Sequence, residues 1–259
     1  MISNSNVNYN EISDSYDKRY KYNKYEKISS AINKLIKSFE CKSVLEIGCG
    51  TCYWLKNIDN DLHFKTGLDI SFNMLKKSDF KNHKIVVVNG DAQFLPFKQN
   101  TFDLSFCVNV LHHVKNKRKL IDEAFRILND NGKFAIYTFD PRTAGDKWYL
   151  YDYFEGMWEF DLNRFATINQ ITELMHSAGF KEISVTKTEI ISDDKTGAAV
   201  LRDPFLQKHG SSQTAILSKN AYRKGIEKIK NKIRSDETRR VQSVFPVRLT
   251  QFEICGIKI

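Results

Sequence analysis

No unbroken apolar run in this 259-residue chain approaches the roughly 18 residues that a membrane-spanning helix needs, and Ile85–Val88 is among the longest. The first residues, Met1-Ile2-Ser3-Asn4-Ser5-Asn6, contain no basic region leading into an apolar stretch, so no secretory leader is expected. Cysteine is scarce and odd in number: Cys41, Cys49, Cys52, Cys107 and Cys255. Three of these lie inside strand-like apolar text. Such a set does not suit a disulfide scaffold and points to reduced thiols in a cytoplasmic protein. No internal repeat is evident.

What the chain does have is 41% hydrophobic residues, enough to bury a full core as one α/β domain with an added cap, or as two small domains. The formal charge is +9. Much of it falls in Lys219–Arg240, where nine basic residues face three acidic ones. Such a run serves nucleic acid or an acidic partner, or forms the solvated face of a helix. The abundance of Lys, Asn and Ile points to AT-rich coding bias, so the solvated face is the working reading and nucleic acid the alternative.

The segment that organises the chain is Val44-Leu45-Glu46-Ile47-Gly48-Cys49-Gly50-Thr51-Cys52. A β-branched apolar run enters two glycines spaced one apart, and a helix-compatible stretch follows from Tyr53. Glycine lets backbone approach a ligand closely, and open α/β sheets bind ligands beyond the carboxyl ends of their strands. A dinucleotide site requires a third glycine at position 53. Tyr53 is too large for that role, and Glu46 is ill placed beside a pyrophosphate but well placed beside a cation.

Glu46-x-Gly48-x-Gly50 resembles the first motif of class I S-adenosylmethionine-dependent methyltransferases, with Cys52 where the family usually has another glycine. The resemblance covers roughly residues 40–185. It implies an α/β fold with a doubly wound, mostly parallel seven-stranded sheet whose antiparallel last strand inserts beside the fifth, plus an α-helical and loop cap. Residues 1–40 are expected to form a tail and a lid helix over 24–39, and cap insertions are expected near 142–163 and 192–240. Tyr16 and Tyr20 are candidates to close over the cofactor or to pack plainly on the core.

The later strands extend the pattern. The strand Phe64–Ile70 carries Asp69 at its tip, 19 residues past Gly50, the spacing at which an acidic residue accepts from both ribose hydroxyls. Ser71 is a natural N-cap for the next helix, and Met74 resembles the family's methionine near the adenine. Lys84–Asn89 reads as a buried parallel strand. It runs into Gly90-Asp91-Ala92, where Asp91 resembles the acceptor for the adenine amino group and Ala92 offers backbone to the ring edge. The fourth strand, Phe102–Val110, leads through Asn109 to His112 and His113. His112 is placed beside the methionine portion of the cofactor, and His113 is the candidate base. Ile70 and Cys49 complete the cofactor set.

The resemblance implies S-adenosylmethionine as the cofactor, and no metal site is expected. The chain lacks the Asn/Asp-Pro-Pro-Tyr tetrad of base-amino methyltransferases and the Pro-Cys pair of pyrimidine C5 enzymes. The text resembles small-molecule enzymes instead, including quinone-biosynthesis methyltransferases; the alternatives are an RNA or protein methyltransferase using the basic C-terminal helix, or a cofactor-binding protein without turnover. The aromatic, acid-laced segment Arg142–Asn163 and the expected long loop Ser192–Leu217 supply the acceptor-side candidates: Trp148, Tyr151, Trp158, Arg202 and His209. Aromatics in such an insertion line a pocket for a flat or cationic substrate, or pack on one another. The acceptor atom and the oligomeric state are left open.

Overall fold

The apolar run before the glycine turn forms β1 (Ser43–Ile47), buried at every position. The computed structural model describes residues 25–58, 62, 64–78, 80–81 and 83–259, so Tyr16 and Tyr20 lie outside the described residues. Among these, the chain divides into two compact units. The first holds Tyr25–Asp140, Ala166–Glu189 and Gln251–Ile259; the second holds Pro141–Phe165 and Ile190–Thr250.

In the first unit β1 lies between β2 (Phe64–Asp69) and β4 (Phe102–Val108), parallel to both. Beyond them β3 (Ile85–Asn89) pairs with β2 and β5 (Leu128–Phe139) with β4, again in parallel. The last strand, β10 (Val247–Ile257), runs antiparallel to β5 with Glu253 opposite Tyr137, and β7 (Lys181–Ser192) pairs with β10. The seven strands therefore run β3-β2-β1-β4-β5-β10, with β7 against β10. Strand order reverses between β1 and β4, which opens a crevice at their carboxyl ends.

One sheet face carries Leu45, Ile47, Leu68, Cys107, Phe134, Ile136 and Ile254. It packs on α4 (Lys117–Ile127) through Leu120, Ile121 and Ala124, and on α7 (Ile168–Ala178) through Ile171 and Met175. Each such fully buried Leu, Ile or Phe contributes about 1.5–3 kcal/mol over leaving it exposed. Thr167 opens α7 with a reciprocal capping box to Gln170, and Gly179 closes it at φ 109°. α1 (Glu26–Lys37) buries Ile28 and Ile32. Its cap residue Tyr25 has φ 47° and makes no side-chain cap. Glu189 of β7 takes the Ile28 N–H instead, so a distant carboxylate serves the positive end of this helix.

Three expectations need correction. β3 is an edge strand with Val86 58% exposed, not a buried one. Asn129-Asp130-Asn131-Gly132-Lys133 has the composition of a turn and is expected as one, yet it lies inside β5. Between Phe102↔Leu128 and Leu104↔Lys133 the register shifts, Asn131 sits at φ 65°, and the turn residues bulge from a continuing strand.

The third correction concerns Ser192–Leu217, which is no long loop. In the second unit β6 (Lys147–Trp148) pairs with the start of β10, and β8 (Lys195–Thr196) with β9 (Val244–Phe245). The helices are α5 (Leu150–Tyr153), α6 (Met157–Arg164), a 3-10 turn at Gly197–Arg202, α8 (Ser212–Ala215) and α9 (Lys219–Thr238). Buried carboxylates tie these together. Asp161 receives Tyr151 Oη at 2.7 Å, Arg164 Nε at 2.7 Å and Gln213 Nε2 at 2.9 Å. Asp203 receives Tyr149 Oη at 2.7 Å and the Phe205 N–H at 3.0 Å. Buried charge is tolerated when its acceptors are met in this way. Among the described residues, no helix is long and apolar enough to cross a membrane.

Candidate functional site

Every described cofactor-side candidate lies on or just beyond the carboxyl ends of β1 to β4, except Met74. The chain leaves β1 through Gly48 at φ 73° and Gly50 at φ 54°. A Cβ on Gly48 would stand 2.4 Å from Val110 Cγ2, so only glycine fits this turn. The N–H groups of Gly48 and Cys49 both donate to the Leu68 carbonyl, at 2.7 and 3.0 Å. Strand β2 thereby holds the loop that follows β1.

Asp69, at the end of β2, is the junction of three loops. Its Oδ2 accepts the Gly50 N–H at 2.8 Å and its Oδ1 accepts the Ser71 N–H at 2.7 Å. Its carbonyl accepts the Gly90 N–H at 3.1 Å and Asn89 Nδ2 at 2.9 Å. Burial raises the Asp69 carboxyl above its ordinary range, and the two N–H groups work against that rise. Each carboxylate oxygen holds one donor and keeps a free acceptor position. Ile70, next in line, is 68% exposed. Ser71 caps α3 (Phe72–Lys77) as expected, accepting the Met74 N–H. Met74 is enclosed by the protein at 1% exposure.

Glu46 is 1% exposed. Burial, and then the neighbouring Cys52, hold its carboxyl well above the usual carboxylate range, although the Leu55 N–H is directed at it. Its Oε2 has no hydrogen-bond partner among the described residues. Asn109, past the end of β4, sits at φ 55° and donates its N–H to the Tyr137 carbonyl. Its Oδ1 also lacks a described partner. An unmet buried acceptor is costly unless a donor arrives, and an ammonium group is a donor of the right charge for Glu46. The site therefore offers acceptors suited to a ribose diol and an ammonium, which S-adenosylmethionine carries.

Asp91 takes the Gln93 N–H at 2.8 Å on Oδ1, so it closes a turn and caps no helix. Ala92 lies within that turn and is half-buried. The Gln93 side chain bonds back to Asp91 and accepts the Asn116 N–H at 3.0 Å. Glu123 and Arg126 of α4 hold the next residues, Glu123 through the Leu95 N–H and Arg126 through the Leu95 and Phe97 carbonyls. Gln93, Asn89, Glu123 and Arg126 support this edge and were not foreseen; no periodicity marks them, because each acts across 20 or more residues or on a turn. His112 and His113 form a 3-10 turn with Leu111, their ring centroids 4.0 Å apart; His112 is buried and His113 half-buried.

In the second unit Trp148, Tyr151 and Trp158 form an edge-to-face row, at 5.6 Å and then 5.0 Å between centroids. Trp148 also meets Phe205 at 6.4 Å. The Tyr151 hydroxyl is held by Asp161. Arg202 and His209 are exposed.

Residues 45–136 match the methyltransferase-domain family model. With the strand order and the glycine loop, this places the chain among the class I S-adenosylmethionine-dependent methyltransferases, and S-adenosylmethionine is its cofactor. The chain is 28% identical over 197 residues to an uncharacterized protein of Methanocaldococcus jannaschii, covering 76% of this chain and 92% of the relative. It is 27% identical over 205 residues to the demethylmenaquinone methyltransferase of Listeria welshimeri, covering 68% and 86% respectively. In fold it is similar to a putative methyltransferase from an antibiotic biosynthesis pathway of Anabaena variabilis, with a TM-score of 0.66 and 22% identity over 88% of this chain and 96% of that one.

Proposed function

We propose that this enzyme transfers the methyl group of S-adenosylmethionine to a small-molecule acceptor by in-line displacement. The observation that carries the reading is the Gly50 N–H on Asp69 Oδ2 at 2.8 Å, which makes the glycine loop and the acidic tip of β2 one hydrogen-bonded unit. In this reading Glu46 and Asn109 meet the amino-acid end of the cofactor, with Gly48, Cys49 and Gly50 as the close-approaching backbone and His112 beside it. Asp69 takes the ribose hydroxyls with Ile70 at the rim. Gly90, Asp91 and Ala92 border the adenine, and Met74 lies beneath in the core. S-adenosylmethionine supplies a methyl group already activated on a sulfonium. The protein's task is then to hold the acceptor in line, a contribution that proximity can make without an essential base. His113 is the candidate base where the acceptor needs one.

For the acceptor, Trp148, Tyr151, Trp158, Arg202 and His209 are the candidates. The small-molecule reading is supported by the missing base-methyltransferase motifs and by the similarity to the Listeria enzyme, whose name gives a quinone precursor as substrate. The basic helix α9 reads as a solvated face, since Lys232 and Arg239 are engaged by its own Asp236. The test is transfer of labelled methyl from S-adenosylmethionine into separated cell fractions. Label is expected in the low-molecular-weight fraction; label confined to RNA or protein overturns the reading.

A further inference from the structure

Binding a cofactor does not require two cysteines in the glycine loop. The Sγ atoms of Cys49 and Cys52 lie 3.7 Å apart, and both residues are buried. They flank Gly50-Thr51 in a turn closed by the Cys52 N–H on the Cys49 carbonyl at 2.8 Å. Gly67 of β2 leaves the space that the Cys49 sulfur fills; a Cβ there would come within 2.7 Å of it. Among the described residues, no group of three or more His, Cys, Asp or Glu is placed to hold a metal ion.

The thiols also differ from the rest. Burial pushes Cys107 and Cys255 up to about 12. The Cys52 thiol is lowered instead, first by the hydrogen bond it shares with Cys49 and then by Ser78 and the Lys56 charge, while Cys49 is raised. Cys52 is thus the better thiolate of a C-x-x-C pair.

We propose that Cys49 and Cys52 form a redox modification site, in which a peroxide oxidises them to a disulfide within the loop and thereby weakens S-adenosylmethionine binding. The Cys52 thiolate attacks one oxygen of hydrogen peroxide. The O–O bond breaks, and the departing hydroxide takes a proton to become water. The Cys49 sulfur then attacks the Cys52 sulfenic acid, the S–O bond breaks, and a second water leaves with the Cys49 proton. Two thiols have lost two electrons and two protons, and the peroxide has become two waters.

The coupling to the cofactor is geometric. A disulfide is about 2.05 Å long, so closure must draw the sulfurs together by about 1.6 Å from their 3.7 Å separation. The backbone between them includes Gly50, whose N–H is bonded to Asp69. Linkage is reciprocal: a tenfold loss of affinity in the disulfide form means that bound S-adenosylmethionine raises the reduction potential of the pair by about 30 mV.

This inference rests on the assignment of the loop to the cofactor, and the experiment separates the two. The full chain is treated with hydrogen peroxide, mapped for a Cys49–Cys52 link by peptide mass spectrometry, and titrated with S-adenosylmethionine by calorimetry. A Cys49–Cys52 link is expected, with affinity down at least about tenfold and restored by dithiothreitol. Prior saturation with S-adenosylmethionine slows linkage, and Cys52→Ser loses the response to peroxide. Absence of the link, or a linked protein with unchanged affinity, overturns the inference. Unchanged affinity in reduced Asp69→Asn instead removes the loop assignment, whatever the cysteines do.

Discussion

Replacing Glu46 with Gln tests the cofactor loop through the pH dependence of folding. Glu46 is buried to 1% exposure, its Oε2 has no described partner, and burial followed by Cys52 holds its carboxyl well above the usual range. In the unfolded chain the group titrates near 4.5. Between that value and the raised folded one, the folded protein keeps a proton that the unfolded chain has released. The resulting stability is fully present below the unfolded value and is lost as pH rises through the folded one. The slope is about 1.4 kcal/mol per pH unit where the two states differ by one proton. Gln keeps the shape, stays neutral and has no such slope. Urea unfolding of both proteins without cofactor, from about pH 5 to about pH 8, should therefore show the variant gaining on wild type as pH rises. Contributions from other groups cancel in the difference.

A second arm reads the same carboxyl with cofactor present. An ammonium against Oε2 favours the carboxylate, so binding within that window releases a proton from wild type and none from Glu46→Gln. Calorimetry in two buffers of different ionisation enthalpy measures the release. A stability difference that does not change with pH refutes the buried, protonated carboxyl. Equal proton release from the two proteins refutes its place beside the ammonium.

Asp69→Asn cannot accept both the Gly50 and Ser71 N–H groups, because one of its two side-chain heads now donates; S-adenosylmethionine affinity by calorimetry should fall at least about tenfold, about 1.4 kcal/mol, and an unchanged value removes the ribose assignment. Gly48→Ala places a Cβ 2.4 Å from Val110 Cγ2 at φ 73°, which should cost about 1–3 kcal/mol in denaturant unfolding, partly recovered by adding Val110→Ala; no recovery would put the cost in the backbone alone. Tyr149→Phe leaves buried Asp203 short of a donor and should destabilise by about 1–3 kcal/mol, checked by thermal unfolding. His113→Ala should lower kcat at saturating acceptor about a hundredfold or more if the imidazole takes a proton; an unaltered kcat removes it as a base.

The cofactor half was legible because each of its parts is written locally. A strand must bury its apolar run, the turn after it must be glycine where Val110 crowds Gly48, and the acidic tip of the next strand falls at a fixed distance along the chain. Ser71 declared its helix end for the same reason: an N-cap is a matter of one residue and its next three. Glu189 was not legible as a cap for α1, since it acts on a helix more than 150 residues earlier in the chain. The edge position of β3 was hidden too, because four apolar residues in a row read alike in the middle and at the margin of a sheet.

The second unit is organised by pairings with no period at all. Asp161 meets Gln213 across 52 residues and Asp203 meets Tyr149 across 54. In the sequence Asp161 is one of the acids interleaved among the aromatics of Arg142–Asn163 and Asp203 falls in the expected loop Ser192–Leu217, yet both are buried. Their contacts narrow the acceptor-side candidates by elimination. The Tyr151 hydroxyl is committed to Asp161 and the Trp148 ring is only 7% exposed, so neither is free to choose a ligand. Trp158 is half-buried, packed by edge on Tyr151 at 5.0 Å, and keeps ring surface open. Trp158 is therefore the aromatic candidate whose substitution by Leu should raise KM for the acceptor while leaving S-adenosylmethionine affinity and the unfolding midpoint near those of wild type. A large fall in the midpoint would return it to the packing of the row.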